Sequence, residues 1–257
     1  MLTAGQIDTF YREGYLEIPG LFSRVEVQQI RAAFSRLRDL AYRLKRTQIY
    51  RNTQFVLGSM PDARDGIATA IQRVVWCGGA EPVLLQLGRA SAVLHAAAAI
   101  LGSAEIVHLI NQAHFKLPGD GVAFDWHQDC LHRRYGTDLW TDVNGRGSFV
   151  QVCTAVDPMT EENGPIKIIP RSCALGPLPV EPETRGLLPG SFDPGEARSL
   201  HLEPGAAVLI GPYTIHGSEP NQSTTSRRLF VNGFCSPGAN RRVYPGSGLG
   251  ETLDTVI

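Results

Sequence analysis

Ala206-Ala-Val-Leu-Ile210-Gly-Pro-Tyr-Thr-Ile215-His216-Gly-Ser218 is an apolar run, a Gly-Pro turn and a second short run that ends in a histidine. The first run is short and apolar and is bounded by turn residues, which is the pattern of a strand. The same texture extends outward in both directions. Ile106–Lys116, Phe149–Val156, Ile166–Ile169 and Leu229–Phe234 read as further strands. Pro118-Gly-Asp-Gly, Glu162-Asn-Gly-Pro, Glu203-Pro-Gly and Pro220-Asn break the chain between them. Many short strands separated by Gly/Pro turns predict a mainly β protein built as a sandwich or barrel. Gly176–Arg198 is rich in Pro and Gly and poor in apolar residues, and strand-like sequence follows it directly. It reads as a long excursion from the barrel.

The first ninety residues read as helical. Thr3 with Gln6 and Ser23 with Glu26 form two capping boxes, in which a hydroxyl and a longer polar side chain satisfy orphan N–H groups at a helix start. The first opens a helix with Ile7, Phe10 and Tyr11 on one face, closed by Gly14. The second opens a longer one with Val27, Ile30, Phe34, Leu37, Ala41 and Leu44 at helical spacing. Tyr15–Gly20 between them reads as a short strand and turn. A third helix, Ser91–Leu101, stops at Gly102.

Composition excludes several classes. The net charge is −1 and the basic run Arg36–Arg51 is interleaved with leucines at helical spacing, so it reads as a solvated helix face and not a nucleic-acid footprint. Five cysteines, at 77, 130, 153, 173 and 235, are an odd number without Cys-x-x-Cys spacing, which predicts free thiols. The N-terminus lacks a signal-peptide pattern, the apolar run Ala92–Leu101 is short and contains His95, and Thr255-Val-Ile is not a peroxisomal signal. The expectation is a cytoplasmic enzyme without nucleic-acid or membrane partners.

The chemistry concentrates in Trp126-His127-Gln128-Asp129. Residues i and i+2 of an extended segment point the same way, so an imidazole and a carboxylate stand side by side. Such a triplet alone is weak, but His216 offers the second imidazole of a two-His, one-carboxylate site that leaves positions open on a divalent metal. Ser226-Arg227-Arg228-Leu229 then opens another strand, and a cation there suits the far carboxylate of a dicarboxylate cosubstrate.

These segments resemble the phytanoyl-CoA dioxygenase-like group of Fe(II)/2-oxoglutarate-dependent oxygenases. The resemblance rests on Phe10-Tyr-Arg-Glu-Gly-Tyr-Leu-Glu-Ile-Pro-Gly-Leu-Phe22, Asn111–Gly119, Phe124–Asp129, Thr154–Pro165, and His216-Gly-Ser218 with Asn221, Ser223 and Arg227. It implies a double-stranded β-helix (jelly roll, cupin-like) with flanking helices: one domain over 1–257, a mostly helical flank at 1–105 and a core at 106–240. It implies His127, Asp129 and His216 as iron(II) ligands, and Arg227 as the grip on 2-oxoglutarate. Apolar pattern does not separate Arg227 from its neighbour Arg228; family spacing points to Arg227. Ser218, Gln112 and Lys116 are cosubstrate-pocket candidates that also read as ordinary strand polar groups. Ile169-Pro-Arg171-Ser172-Cys173 departs from the family's usual Ile-Pro-Gly-Ser-His, which affects loop shape and not the ligands.

The implied reaction consumes O₂ and 2-oxoglutarate, releases succinate and CO₂, and hydroxylates a small polar metabolite, such as an amino acid or natural-product intermediate. Desaturation, epoxidation or cyclisation would use the same cofactors; intact Asp129 disfavours halogenation. A rival is a non-catalytic metal-containing cupin that binds a small molecule, and a nickel or manganese cupin enzyme is another. Against both stands Arg227, for which neither has a use. Loops 131–147 and 176–198 are expected as lids, with Arg133, Arg134 and Trp140 facing the substrate. The adjacent arginines suit a polar or anionic one. His132 is a further neighbour of the metal motif; His108, His114 and His201 read as packed strand histidines. The oligomeric state is not readable from the sequence.

Overall fold

The computed structural model describes residues 1–59, 69–181, 183 and 186–255. Of the expectations above, the tail Val256-Ile257 and positions 182, 184 and 185 of the excursion lie outside the described residues.

Both capping boxes form. Helix α1 (Ala4–Glu13) starts on Thr3 and Gln6 and ends at Gly14, whose φ of 86° is the left-handed conformation that glycine adopts cheaply. Strand β1 (Tyr15–Ile18) leads to α2 (Arg24–Leu44), capped by Ser23 and Glu26, which buries Val27, Ile30, Phe34, Leu37 and Ala41. The helical reading then fails. Gln48–Tyr50, Thr53–Ser59 and Thr69–Val75 are strands β2, β3 and β4, and they extend the main sheet beyond the barrel. The reason lies in a bulge: Val56 pairs with Arg73 while Leu57 pairs with Ile71, leaving Gln72 over. A bulge breaks the period of two, so Ile71 and Val74 both join the core and no alternation shows in the sequence. Helices α3 (Pro82–Gly88) and α4 (Ser91–Leu101) follow. No single described helix is long and apolar enough to cross a membrane; these two pass such a test only as a pair bent by 47°.

The remaining elements are β5 (Glu105–Lys116), β6 (Phe124–His127), the short α5 (Asp129–His132), β7 (Phe149–Ala155), β8 (Lys167–Ile168), β9 (Arg198–Ser199), β10 (Ala207–Ile210), β11 (His216–Ser218), β12 (Arg227–Cys235) and β13 (Glu251–Asp254). They form two antiparallel sheets. The larger runs β1-β10-β7-β12-β5-β4-β3-β2, with β13 added to β5; the smaller runs β6-β11-β8-β9. Alternation along the large sheet separates two cores. Val150, Val152, Ala207, Leu209, Phe230 and Phe234 pack under the helices. Phe149, Cys153, Val208, Ile210, Leu229 and Val231 face Ile166 and Ile168 between the sheets. The strands are therefore buried on both faces, which is why they read as continuous apolar runs. This is the expected jelly roll with helices on its outer face.

Candidate active site

His127 closes β6 and His216 opens β11, and the two are directly paired across the small sheet. Their rings lie 4.2 Å apart. Asp129 follows an extended Gln128 and begins α5. The N–H of Cys130 donates to the carbonyl of Pro212 at 2.9 Å, tying α5 to the Gly-Pro turn that precedes His216. One ligand atom from each of His127, Asp129 and His216 lies within 4.8 Å of the others.

Backbone carbonyls settle how the imidazoles are presented. Nδ1 of His127 donates to the Asp125 carbonyl at 2.6 Å, and Nδ1 of His216 donates to that of Thr214 at 2.9 Å. A carbonyl only accepts, so Nδ1 carries the proton and Nε2 keeps its lone pair for a metal. Burial, then the neighbouring His216, pushes His127 down to about 3, so it is neutral at physiological pH. Burial alone would raise Asp129, but the neighbouring His216, Arg133 and His127 outweigh it and hold the carboxyl below its usual range. Asp129 Oδ2 is buried without a hydrogen-bond partner. Two imidazoles held by backbone carbonyls and an orphaned carboxylate oxygen fit a divalent ion such as iron(II), which would satisfy all three.

A cavity beside the triad is walled by Cys153, Ile166, Ile210, Leu229 and Val231, and Ser218 and Arg227 line it too. Arg227 is paired with Lys116 across β12 and β5. Both side chains are buried, and neither has an acidic partner within 4 Å among the described residues. Asp120 acts on both from a distance but is engaged by the N–H groups of Leu117 and Val122. Burial lowers Arg227 to about 10; burial together with Arg227 lowers Lys116 to about 6. Lys116 Nζ donates to Ser218 Oγ at 2.7 Å and to the carbonyl of Glu219. Arg228 faces the other way and makes a bidentate pair with Asp157 at 2.7 and 2.8 Å.

Two glycines shape this site. Gly164, in the Asn-Gly-Pro turn, accepts two N–H bonds from Arg227 at 2.9 and 2.5 Å through its carbonyl. Its φ is +73°, and a Cβ there would stand 2.3 Å from the Glu219 carbonyl. Gly217, between His216 and Ser218, would bring a Cβ to 2.9 Å from the Phe124 carbonyl on β6.

Other expected residues are placed differently. Gln112 bonds His114 Nε2 at 2.8 Å and lines a second recess, together with His127, Asp129, His132 and Arg133, instead of the cavity that holds Arg227. It shares the Lys116 face of β5 but lies four residues back, about 13 Å along the strand. Trp140 is core: it stacks on Tyr135, meets Phe149 edge-on and donates to the Gly147 carbonyl. Arg134 takes a left-handed turn conformation at φ 66° and is absent from the lining of that recess. Gln128, passed over inside the metal motif, is a strap. Its Nε2 donates to the carbonyls of Gly176 and Tyr213, and its Oε1 accepts from Leu178 N–H, which pins the start of the 176–198 excursion. In the departing segment, Ser172 Oγ accepts from Ile215 N–H at 2.9 Å and so supports the approach to His216.

The sequence model of the phytanoyl-CoA dioxygenase (PhyH) family matches residues 10–229, which span the triad, the Asn-Gly-Pro turn and Arg227. The chain belongs to the phytanoyl-CoA dioxygenase family. Among curated family relatives, it is 25% identical to the L-proline trans-4-hydroxylase of Streptomyces griseoviridis, covering 86% of this chain and 81% of that one. It is 26% identical to the ectoine dioxygenase of Bordetella bronchiseptica, covering 88% and 73%. Its fold matches EvdO2 of Micromonospora carbonacea var. aurantiaca, solved with 2-oxoglutarate, at a TM-score of 0.68 over 96% of each chain and 24% identity.

Proposed function

We propose that this protein is an iron(II)- and 2-oxoglutarate-dependent dioxygenase that hydroxylates a small polar molecule. One observation carries the reading: buried Arg227, with Lys116 paired beside it, has no acidic partner within 4 Å among the described residues and lines a cavity that also meets the imidazoles of His127 and His216. Family membership, a hydroxylase and a dioxygenase among the relatives, and a neighbour solved with 2-oxoglutarate support it.

His127, Asp129 and His216 would hold the metal. Iron(II) with 2-oxoglutarate and O₂ supplies the oxidising power for C–H hydroxylation, with succinate and CO₂ as by-products. The chain does the positioning. Arg227, aimed by the Gly164 carbonyl, offers a planar fork to the distal carboxylate, and Lys116 and Ser218 add donors beside it. The apolar wall of Ile166, Ile210, Leu229 and Val231 excludes water and strengthens these contacts. A non-catalytic metal-binding cupin gives no account of a buried arginine without a counter-ion set beside a second buried basic side chain.

The test is anaerobic addition of iron(II) and 2-oxoglutarate, followed by air. A visible charge-transfer band and succinate release are expected. Failure of the band to form with iron bound would refute the cosubstrate assignment.

A further inference from the structure

The second recess also touches the triad, through His127 and Asp129, but its walls are of another kind. It is a cavity of about 280 Å³ lined by Gln54, Gln112 and Gln151 and by three arginines from three separate segments. Arg73 comes from β4, Arg133 from the end of α5, and Arg242 from the chain after β12. Among the described residues Asp129 is the only acid in that lining, and on the reading above its carboxylate would be taken by the metal.

Arg133 and Arg242 are held in place without being neutralised. Arg133 is 7% exposed, and its Nε and one terminal nitrogen have no hydrogen-bond partner. Its guanidinium lies 5.1 Å from the ring of Phe149 and 5.1 Å from that of Tyr244. Arg242 sits 5.0 Å from the same Tyr244 ring and donates to the His132 carbonyl at 2.6 Å. One aromatic ring thus supports two forks. None of the three forms an ion pair within 4 Å among the described residues.

Buried Arg133 and half-buried Arg242, with exposed Arg73 at the mouth, make a cation cluster that is unfavourable unless something anionic completes it. On the reading above, iron(II) and the 2-oxoglutarate dianion cancel each other's charge, so they cannot be that complement. Asp129 offsets one arginine and leaves two. We infer that this recess is the substrate site, and that the substrate is a small molecule carrying an anionic group gripped by Arg73, Arg133 and Arg242. The three glutamines supply both donors and acceptors for its remaining polar groups. A carboxylate and a phosphate both fit an arginine fork.

This inference rests on the proposed cosubstrate assignment, and the experiment separates the two. Enzyme loaded anaerobically with iron(II) and 2-oxoglutarate is first checked for its charge-transfer band; absence of the band counts against the cosubstrate assignment. Sodium acetate and inorganic phosphate are then titrated into the loaded enzyme by calorimetry. At least one is expected to bind, and Arg73→Gln/Arg242→Gln to weaken it roughly 10- to 100-fold, with Arg134→Gln unchanged. Both replaced side chains lie toward solvent, so the variant keeps its core; Arg133 is left in place. Succinate release is screened in parallel with amino and hydroxy acids against their primary amides, and with sugar phosphates against the free sugars. Stimulation by the anionic member of a pair supports the inference, and carboxylate or phosphate preference names the group. Binding of neither anion, equal binding by the double variant, or equal stimulation by amides and free sugars overturns it.

Discussion

Replacing Arg227 by methionine separates the cost of burying a charge from its use. Arg227 is 1% exposed, and burial takes its guanidinium from 12.5 to about 10. At about 1.4 kcal/mol per pH unit, that corresponds to ~3 kcal/mol of unfavourable charge burial. Methionine removes this cost, relieves Lys116 of its like-charged neighbour, and leaves the Gly164 carbonyl without its donors, a loss of about 1–3 kcal/mol. The two effects offset, so the cosubstrate-free protein should melt within a few degrees of wild type. 2-Oxoglutarate loses a two-pronged charge-assisted grip worth about 3–4 kcal/mol, so its Kd should rise roughly 100- to 1,000-fold. Anaerobic titration of the iron(II) protein with 2-oxoglutarate, read at the charge-transfer band, measures the Kd; a melt without cosubstrate measures the stability. A Kd within threefold of wild type (about 0.7 kcal/mol) would show that Arg227 anchors nothing. A large fall in melting temperature with unchanged Kd would mean that Arg227 is a structural group.

Lys116 gives a pH signature. Its folded value, about 6, lies below the ordinary 10.5, so near pH 7.5 it is neutral until a dianion arrives. Binding of 2-oxoglutarate should then take up close to one proton, and affinity should fall as pH rises from 6 toward 9; calorimetry in buffers of different ionisation enthalpy reads the uptake, and Lys116→Met abolishes it. The same shift has the opposite sign for the cosubstrate-free fold. The unfolded lysine binds a proton below 10.5 that the folded one refuses down to about 6, so this group's contribution to stability rises with pH across that window. Iron(II) should raise the melting temperature of wild type but not of Asp129→Ala, which removes the orphaned oxygen. Gly217→Ala should force β11 from β6, destabilise the fold by about 1–3 kcal/mol and weaken iron(II) binding at least tenfold, as titrated against a metal indicator. Gln128→Ala leaves three backbone partners unmet, so limited proteolysis should cut within 176–198 faster than in wild type.

The metal pair was readable because i and i+2 of an extended segment need only local geometry. That His216 would sit opposite His127 was not readable from spacing; strand pairing brings together residues far apart in the chain, and only the family resemblance supplied the match. Arg227 and Arg228 could not be told apart by alternation because β12 is buried on both faces; Asp157 and Gly164, on other segments, divide them. Helical flanks followed from caps and periodicity, but the bulge at Gln72 hid β3 and β4, and with them Arg73. Trp140 and Arg134 lie near the metal motif in sequence alone; the loop packs its aromatic rings against each other.

The chain after β12 returns to the large sheet as β13, and on the way it places Arg242 and Tyr244 in the second recess. Both residues lie beyond position 229, where the family match stops. On the inference above, the metal triad with Arg227 and part of the substrate wall would come from separate stretches of the chain. Substitutions at Arg242 and Tyr244 would then change which substrate is taken while leaving the triad and Arg227 in place.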